Sequence, residues 1–123
     1  MTDVVTNTVD TYLEAYSEPD TARRDELLEK VFAADGQLID PPLDASGRPG
    51  ISDMVGAVLG QFPGHRFRRS SGIDSHHDAV RYGWELVAPD GAVTLSGMDV
   101  AVLADDGRLQ RVTGFFGDLP AKE

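Results

Sequence analysis

Asp99 is a carboxylate in the middle of a predicted strand, and its position is the strongest chemical signal in the sequence. The strand opens the segment Thr94–Asp118, TLSGMDVAVLADDGRLQRVTGFFGD. Alternation along it puts Asp99 on one face with small and apolar neighbours, namely Leu95, Gly97, Ala101 and Leu103. Aspartate is depleted in strands and seldom buried without a partner. Because such surroundings disfavour the charged form, we expect Asp99 to have a raised pKa and to donate a proton near neutral pH.

Asp40 is the second candidate carboxylate. It ends a short predicted strand, Gln37–Asp40, and Pro41-Pro42 then limits how far the backbone can swing. A polar surface loop, Asp44–Gly50, follows and is expected to keep Asp40 solvated and therefore ionised. Two carboxyl groups with separated pKa values form the pattern of a base and an acid. The alternative is a plain turn residue, since Asp-Pro favours turn initiation.

Tyr12 and Tyr16 lie one turn apart on the apolar stripe of the predicted first helix. Their hydroxyl groups are candidate donors to a ligand, and core packing is the alternative role for both. Trp84 similarly fits either the wall of a pocket or the core.

The other residue types that carry chemistry are sparse. His76-His77 lies at a predicted turn, where adjacent side chains diverge, so we predict no metal site. The chain has no cysteine, which excludes a thiol nucleophile and a thiolate metal site. It shows no Ser-His-Asp constellation and no glycine-rich phosphate loop. We predict a site built from side chains alone, with no cofactor.

Length and charge narrow the class of protein. The 123 residues fit a single domain, 1–123, and a composition of 41% hydrophobic and 26% charged residues is typical of a soluble globular protein. The net charge of −10 argues against nucleic acid or an anionic membrane surface as a partner, and the basic run Arg66–Arg69 fits an exposed strand face. Met1 precedes no apolar signal core, and no run reaches membrane-spanning length, so we predict a cytoplasmic protein.

Apolar residues at helical spacing predict three helices, over Val5–Tyr16, Leu27–Phe32 and Ile51–Phe62. A start signal at Thr2/Asp3 precedes the first helix. The second is expected to stop near Asp35-Gly36, and Pro63-Gly64 ends the third.

From His65 onward the apolar pattern changes to period two. The predicted strands are Phe67–Ser75, Val80–Val87 and the two strands of a closing hairpin that turns at Asp105-Asp106-Gly107. One face of the second strand carries Val80, Tyr82, Trp84 and Leu86. Together with the early strand, this order predicts an α+β fold in which three N-terminal helices pack on one face of a curved, mostly antiparallel sheet.

Two stretches carry a resemblance to a known family. Leu38-Ile39-Asp40-Pro41 is similar to the end of the first strand in ketosteroid isomerases, and the other stretch runs from Asp99-Val100 through Asp106-Gly107-Arg108-Leu109 to Phe115-Phe116. With the order of elements, nearly the whole chain resembles the NTF2-like superfamily, in its SnoaL-like polyketide cyclase and ketosteroid isomerase-like branch. The resemblance implies a cone of helices and sheet around an apolar pocket, with a homodimer formed through the outer sheet face.

The resemblance also implies roles for individual residues. The isomerase's base falls on Asp40, its protonated acid on Asp99 and its helix-one tyrosine on Tyr12, with Tyr16 as the alternative donor. The ligand contacts expected beside them are Tyr16, Trp84, Met54 and Phe115. Limonene epoxide hydrolases share the fold, but the acidic residue on their last strand falls on Gly114 here, which argues against their chemistry.

Two functional classes follow. The first is a cofactor-independent enzyme that moves a proton on an apolar carbonyl compound, by isomerisation or cyclisation. The alternative is a non-catalytic domain that binds a hydrophobic ligand or another protein, since the fold alone does not choose between them.

Overall fold

The computed structural model describes the backbone of residues 2–123 and the side chains of residues 4–123. The helices are α1 (Thr2–Ala15), α2 (Thr21–Val31) and α3 (Arg48–Gln61). The strands are β1 (Phe32–Asp40), β2 (Leu43–Ser46), β3 (Arg66–Arg69), β4 (Asp74–His76), β5 (Ala79–Val87), β6 (Val93–Leu103) and β7 (Leu109–Phe116). This order confirms the predicted α+β class. The start signal predicted at Thr2/Asp3 falls on side chains outside the described residues.

All the strands belong to one curved sheet, with the order β2-β1-β7-β6-β5-β3 and with β4 also paired to β5. Strands β1 and β7 run parallel, and the remaining described pairs are antiparallel. Helices α1, α2 and α3 pack on one face of this sheet, where their apolar stripes meet the inward side chains of β1, β5, β6 and β7. The predicted arrangement of helices on a curved, mostly antiparallel sheet is confirmed.

The closing hairpin, β6 with β7, sets the position of Asp99. Its turn has Gly107 at φ 87° and a hydrogen bond of 2.7 Å from the Ala104 N–H to the Arg108 carbonyl, as the sequence predicts. Along β6, Asp99 and Ala101 are buried whereas Val100 is exposed. The predicted alternation of faces is therefore confirmed.

The boundary between α2 and β1 differs from the prediction. Phe32 is the first residue of β1 rather than the end of the helical stripe, and its N–H still caps α2 by donating to the Leu28 carbonyl. The ring is fully buried, so one side chain satisfies both the helical pattern and the strand pattern. Asp35-Gly36 consequently lies within β1, at a shift of register against β7, and is not a helix stop.

Two further segments differ from the sequence interpretation. Leu43–Ser46 is a strand paired with β1, although Asp44–Gly50 was predicted as a surface loop. The predicted strand Phe67–Ser75 is two strands, because residues 70–73 leave the ladder. In that gap the Ser71 hydroxyl accepts the Gly83 N–H at 2.7 Å. Hydrogen bonds made by side chains replaced backbone pairing there, and this cannot be read from an apolar pattern.

None of the helices in the described part of the chain is long and apolar enough to span a membrane. The core lies between the helices and the inward sheet face. Its largest fully buried side chains are Tyr12, Tyr82, Phe32, Leu28, Leu38, Ile51, Leu86 and Leu109.

Leu38 tests how strongly this core holds the end of β1. Its side chain is 0% exposed, two residues before Asp40, and packs beneath the helices beside Val112. We expect Leu38→Ala to lower the free energy of unfolding in urea by about 2–5 kcal/mol, since it leaves a cavity. Val4→Ala, at a side chain that is 66% exposed, is the matched control and should change it by less than about 0.5 kcal/mol. Equal losses in the two variants would contradict this account of the core.

Candidate active site

A cavity of about 410 Å³ lies between α1, the end of α3 and the inward face of the sheet. Apolar side chains make up most of its wall, and the polar groups are few. The lining residues are Tyr12, Leu13, Tyr16, Asp40, Pro41, Pro42, Leu43, Val58, Gln61, Phe62, Phe67, Trp84, Leu86, Leu95, Asp99 and Phe116. The structure thus brings Asp40, Asp99, Tyr12, Tyr16 and Trp84 to one cavity.

Asp40 is held by the first helix. The Tyr16 hydroxyl donates to Asp40 Oδ2 at 2.9 Å, and the pair is buried. Helix α1 passes over the end of β1, so a residue in its last turn reaches the carboxyl group that ends the strand. This hydrogen bond occupies one carboxyl oxygen and leaves Oδ1 available.

Asp99 is held in the same way by a different tyrosine. The Tyr82 hydroxyl donates to Asp99 Oδ2 at 2.8 Å, also in a buried position. Tyr82 and Asp99 are directly opposite each other in the β5–β6 register, so both side chains project from the same face of the sheet. The sequence analysis put Tyr82 on the inward face but missed this role. The spacing of the two strands about the Pro89-Asp90-Gly91 turn was the signal that could have revealed it.

Gly114 lies between the two carboxyl groups. It is opposite Asp99 in the β6–β7 register. A methyl group at this position would overlap Asp40 Oδ1 and would lie 3.1 Å from Asp99 Oδ1. The absence of a side chain on β7 therefore lets both free Oδ1 atoms face the same small space.

Burial controls the protonation of both acids. Burial raises the pKa of Asp99 to about 7, against the opposing hydrogen bond from Tyr82, and the negative charge of Asp40 adds to the rise. Burial also raises the pKa of Asp40, against the hydrogen bond from Tyr16. The expectation that Asp40 is solvated is wrong, because its side chain is only 8% exposed and the following segment is strand β2. The raised pKa expected for Asp99 agrees with its surroundings.

The tyrosines differ in what their hydroxyl groups do. Burial raises the pKa of Tyr12, Tyr16 and Tyr82, so all three remain protonated donors. Tyr16 and Tyr82 are occupied by the two carboxyl groups, whereas the Tyr12 hydroxyl makes no hydrogen bond within residues 4–123. The charges of Asp99 and Asp40 both act on Tyr12, which shows that it lies near them. Of the two helix-one tyrosines, Tyr12 is the one whose hydroxyl group is available to a ligand.

Two of the predicted ligand contacts lie elsewhere. Met54 packs into the core from α3 and does not line the cavity. Phe115 is opposite Met98 on the outer face of the sheet and is 55% exposed, because side chains alternate along β7. The cavity contact comes from its neighbour Phe116, which the sequence analysis left without a role.

The histidine pair stays apart from this site. The rings of His76 and His77 approach each other at an exposed position, with their Nδ1 atoms 3.1 Å apart. Within the described residues, no group of three metal-ligating side chains comes together.

The fold and the cavity define a class of protein: helices over a curved sheet that encloses a mostly apolar pocket, as in the NTF2-like superfamily. A solved NTF2-like protein of unknown function from Exiguobacterium sp. 255-15 is similar in fold, with a TM-score of 0.72 and 18% identity over 91% of this chain and 99% of that one. A SnoaL-like protein from Jannaschia sp. CCS1, provisionally named a polyketide cyclase, has a TM-score of 0.67 and 17% identity over 90% and 85% of the two chains.

A third structure settles the family. It is a SnoaL-like family protein from Agrobacterium tumefaciens strain C58, provisionally named an isomerase, with a TM-score of 0.88 and 34% identity. The match covers 94% of this chain and 99% of that protein. The chain therefore belongs to the SnoaL-like family of the NTF2-like superfamily. No protein-family model matches the sequence, and no curated protein matches it.

The raised pKa of Asp99 makes a prediction about stability. Between about pH 4, where an unfolded aspartate ionises, and pH about 7, the folded protein holds a proton that the unfolded chain has lost. The free energy of unfolding should therefore fall as the pH rises through this window, by an amount on the order of a few kcal/mol from Asp99.

Asp99→Asn removes this titration and should flatten that part of the stability curve measured by urea unfolding at a series of pH values. Asp118→Asn, at an exposed position near the C-terminus, is the control for the loss of one negative charge. A curve for Asp99→Asn that runs parallel to the parent from pH 4 to 7 would show that Asp99 titrates normally.

Proposed function

We propose that the cavity binds an apolar carbonyl compound and that its side chains catalyse a proton transfer next to the carbonyl group. The observation that carries the proposal is the meeting of two unlike carboxyl groups and an available tyrosine hydroxyl in one apolar cavity. Pairs of titratable groups whose environments separate their pKa values mark acid and base roles.

Asp40 is the base in this proposal. Its Oδ2 accepts the Tyr16 hydroxyl, which stabilises the ionised form, and its Oδ1 is left to take a proton from the carbon beside the carbonyl. The negative charge of Asp40 contributes to the raised pKa of Asp99. Of the two acids, Asp40 is therefore the one that ionises first.

Asp99 and Tyr12 are the donors. As the C–H bond breaks, its electron pair moves to the carbonyl oxygen, and the developing enolate accepts hydrogen bonds from the Asp99 carboxyl proton and the Tyr12 hydroxyl. Asp40 then returns the proton to the same carbon or to another one, which regenerates the base. Side chains supply every proton in this cycle.

Asp40→Asn tests the base. Asparagine keeps the shape and can still accept from Tyr16, but it cannot take a proton. The probe is 2-tetralone in deuterated buffer, and we expect the parent to speed deuterium exchange beside the carbonyl, followed by NMR, above the rate in buffer alone. Asp40→Asn should lower the catalysed rate by about 10²–10⁴-fold while ligand affinity, from Trp84 fluorescence, changes little.

Asp44→Asn is the matched control, because it removes an exposed carboxylate close to the end of β1 without touching the cavity lining. It should exchange like the parent. If Asp40→Asn exchanges as fast as the parent, Asp40 is not the base. If the parent binds the ketone without exchange, the protein is a binding domain and not this kind of enzyme.

We also propose that the protein is a homodimer through the outer face of the sheet. The helices cover the other face, and the outer face exposes an adjacent apolar set: Met98, Val100, Val102 and Phe115. Ion pairs surround this set, Arg68 with Glu85 and Arg81 with Asp74. An apolar centre within a charged rim is the composition of a protein interface, and a symmetric dimer covers two such faces at once.

Sedimentation velocity at micromolar concentration tests the dimer. We expect twice the chain mass of 13.3 kDa for the parent and a monomer for Val100→Glu, which puts a charge at the centre of the apolar set. Val4→Glu, on α1 and 66% exposed, should remain a dimer. A parent that sediments as a monomer would overturn the proposal.

A further inference from the structure

Trp84 carries a polar group that the proposed chemistry does not use. Its side chain is 4% exposed, and its Nε1–H is the one fully buried side-chain polar atom in residues 4–123 without a hydrogen-bond partner. Buried donors are nearly always paired, so an unpaired one calls for an explanation.

Packing holds the indole ring in place. Its edge meets the rings of Phe67 and Phe116, with centroids 5.4 and 5.7 Å away. The ring also lies against Gly97, where a methyl group would be 2.5 Å from Cζ2 and 2.9 Å from Cε2, the carbon bonded to Nε1. A side chain at position 97 would therefore push the ring out of this position.

Nε1 approaches Asp99 in this arrangement. Gly97 and Asp99 are two residues apart on the same face of β6, and Trp84 and Tyr82 hold the matching positions on β5. The indole N–H acts to lower the pKa of Asp99, although its distance and angle fall short of a hydrogen bond. Tyr82 already occupies Oδ2. Asp99 thus has a second donor close by that it does not engage in this structure.

We propose that Trp84 is a positioning residue whose Nε1–H becomes the second hydrogen-bond donor to Asp99 when negative charge develops on that carboxyl group. The inference rests on the proposed function, in which a ligand oxygen draws on the Asp99 proton. As the proton moves toward that oxygen, the electron pair of the O–H bond stays on Asp99, and Tyr82 and Trp84 together stabilise the charge.

The charged and titratable groups around Asp99 leave this task to neutral donors. They are Tyr12 and Tyr16 from α1, Asp40 from β1 and Tyr82 from β5, while α3 contributes the neutral Gln61. No lysine, arginine or histidine of the described chain lines the cavity. With no cation present, each N–H or O–H aimed at the carboxyl group counts for more in stabilising its ionised form.

Trp84 is the sole tryptophan, so its indole N–H gives a single, assigned signal in a ¹H–¹⁵N spectrum. We expect that signal to move between pH 5 and pH 9 with one midpoint, at about 7, as Asp99 ionises and accepts the hydrogen bond. Asp99→Asn should abolish the movement. Asp40→Asn should keep it but lower the midpoint, because it removes the negative charge that raises the pKa of Asp99. A signal that stays fixed across this range, or that moves equally in Asp99→Asn, overturns the inference.

A second measurement covers the case in which Asp99→Asn does not fold. Trp84→Phe keeps an aromatic ring and removes the donor, and the Asp99 midpoint from ¹³C carboxyl NMR should rise by about one pKa unit, as expected when an ionised group loses a hydrogen bond. Phe116→Leu, which disturbs the same aromatic contact without removing a donor, should shift the midpoint by less. Equal midpoints in Trp84→Phe and the parent overturn the positioning role. Neither titration needs turnover, so a failure here is distinct from a failure of Asp40 to act as a base.

Discussion

Two carboxyl groups are buried in one mostly apolar cavity, and neither has a cationic partner among the described residues. Removing a carboxylate from water without compensation is costly, so the protein must either keep such a group protonated or surround it with donors. Both solutions are present. Tyr16 and Tyr82 each donate to one carboxyl group, and the pKa of Asp99 still rises to about 7.

The sheet supplies the geometry that makes this arrangement possible. Antiparallel register sets Tyr82 opposite Asp99, and the next strand sets Gly114 opposite Asp99 on the other side. Parallel pairing of β1 with β7 then brings the end of β1, and hence Asp40, to the same place. A side chain on Gly114 would occupy the space where the two free carboxyl oxygens meet. The chemistry of the cavity thus depends on three strands that are far apart in sequence.

This dependence on neighbours explains which parts of the site were predictable. Alternation along one strand was enough to put Asp99, Tyr82 and Trp84 on inward faces, because period two is a local property. It was not enough to put Phe115 correctly, since the faces of β7 depend on its register against β6. The position of Met54 in the core rather than the cavity likewise depends on which side of α3 meets the other helices.

The sequence by itself determined the α+β class, the three helices, the closing hairpin and the resemblance to the superfamily, because local propensity and periodicity carry these features. Only the tertiary structure decided that Phe32 begins a strand, that Leu43–Ser46 pairs with β1 and that Asp40 is buried. It also decided that Tyr16 is bound to Asp40 while the Tyr12 hydroxyl remains available, since the two tyrosines are one helical turn apart and equivalent in pattern. The physical reason is common to these cases: burial and hydrogen-bond partners come from residues that are distant in the chain, and a local pattern cannot specify them.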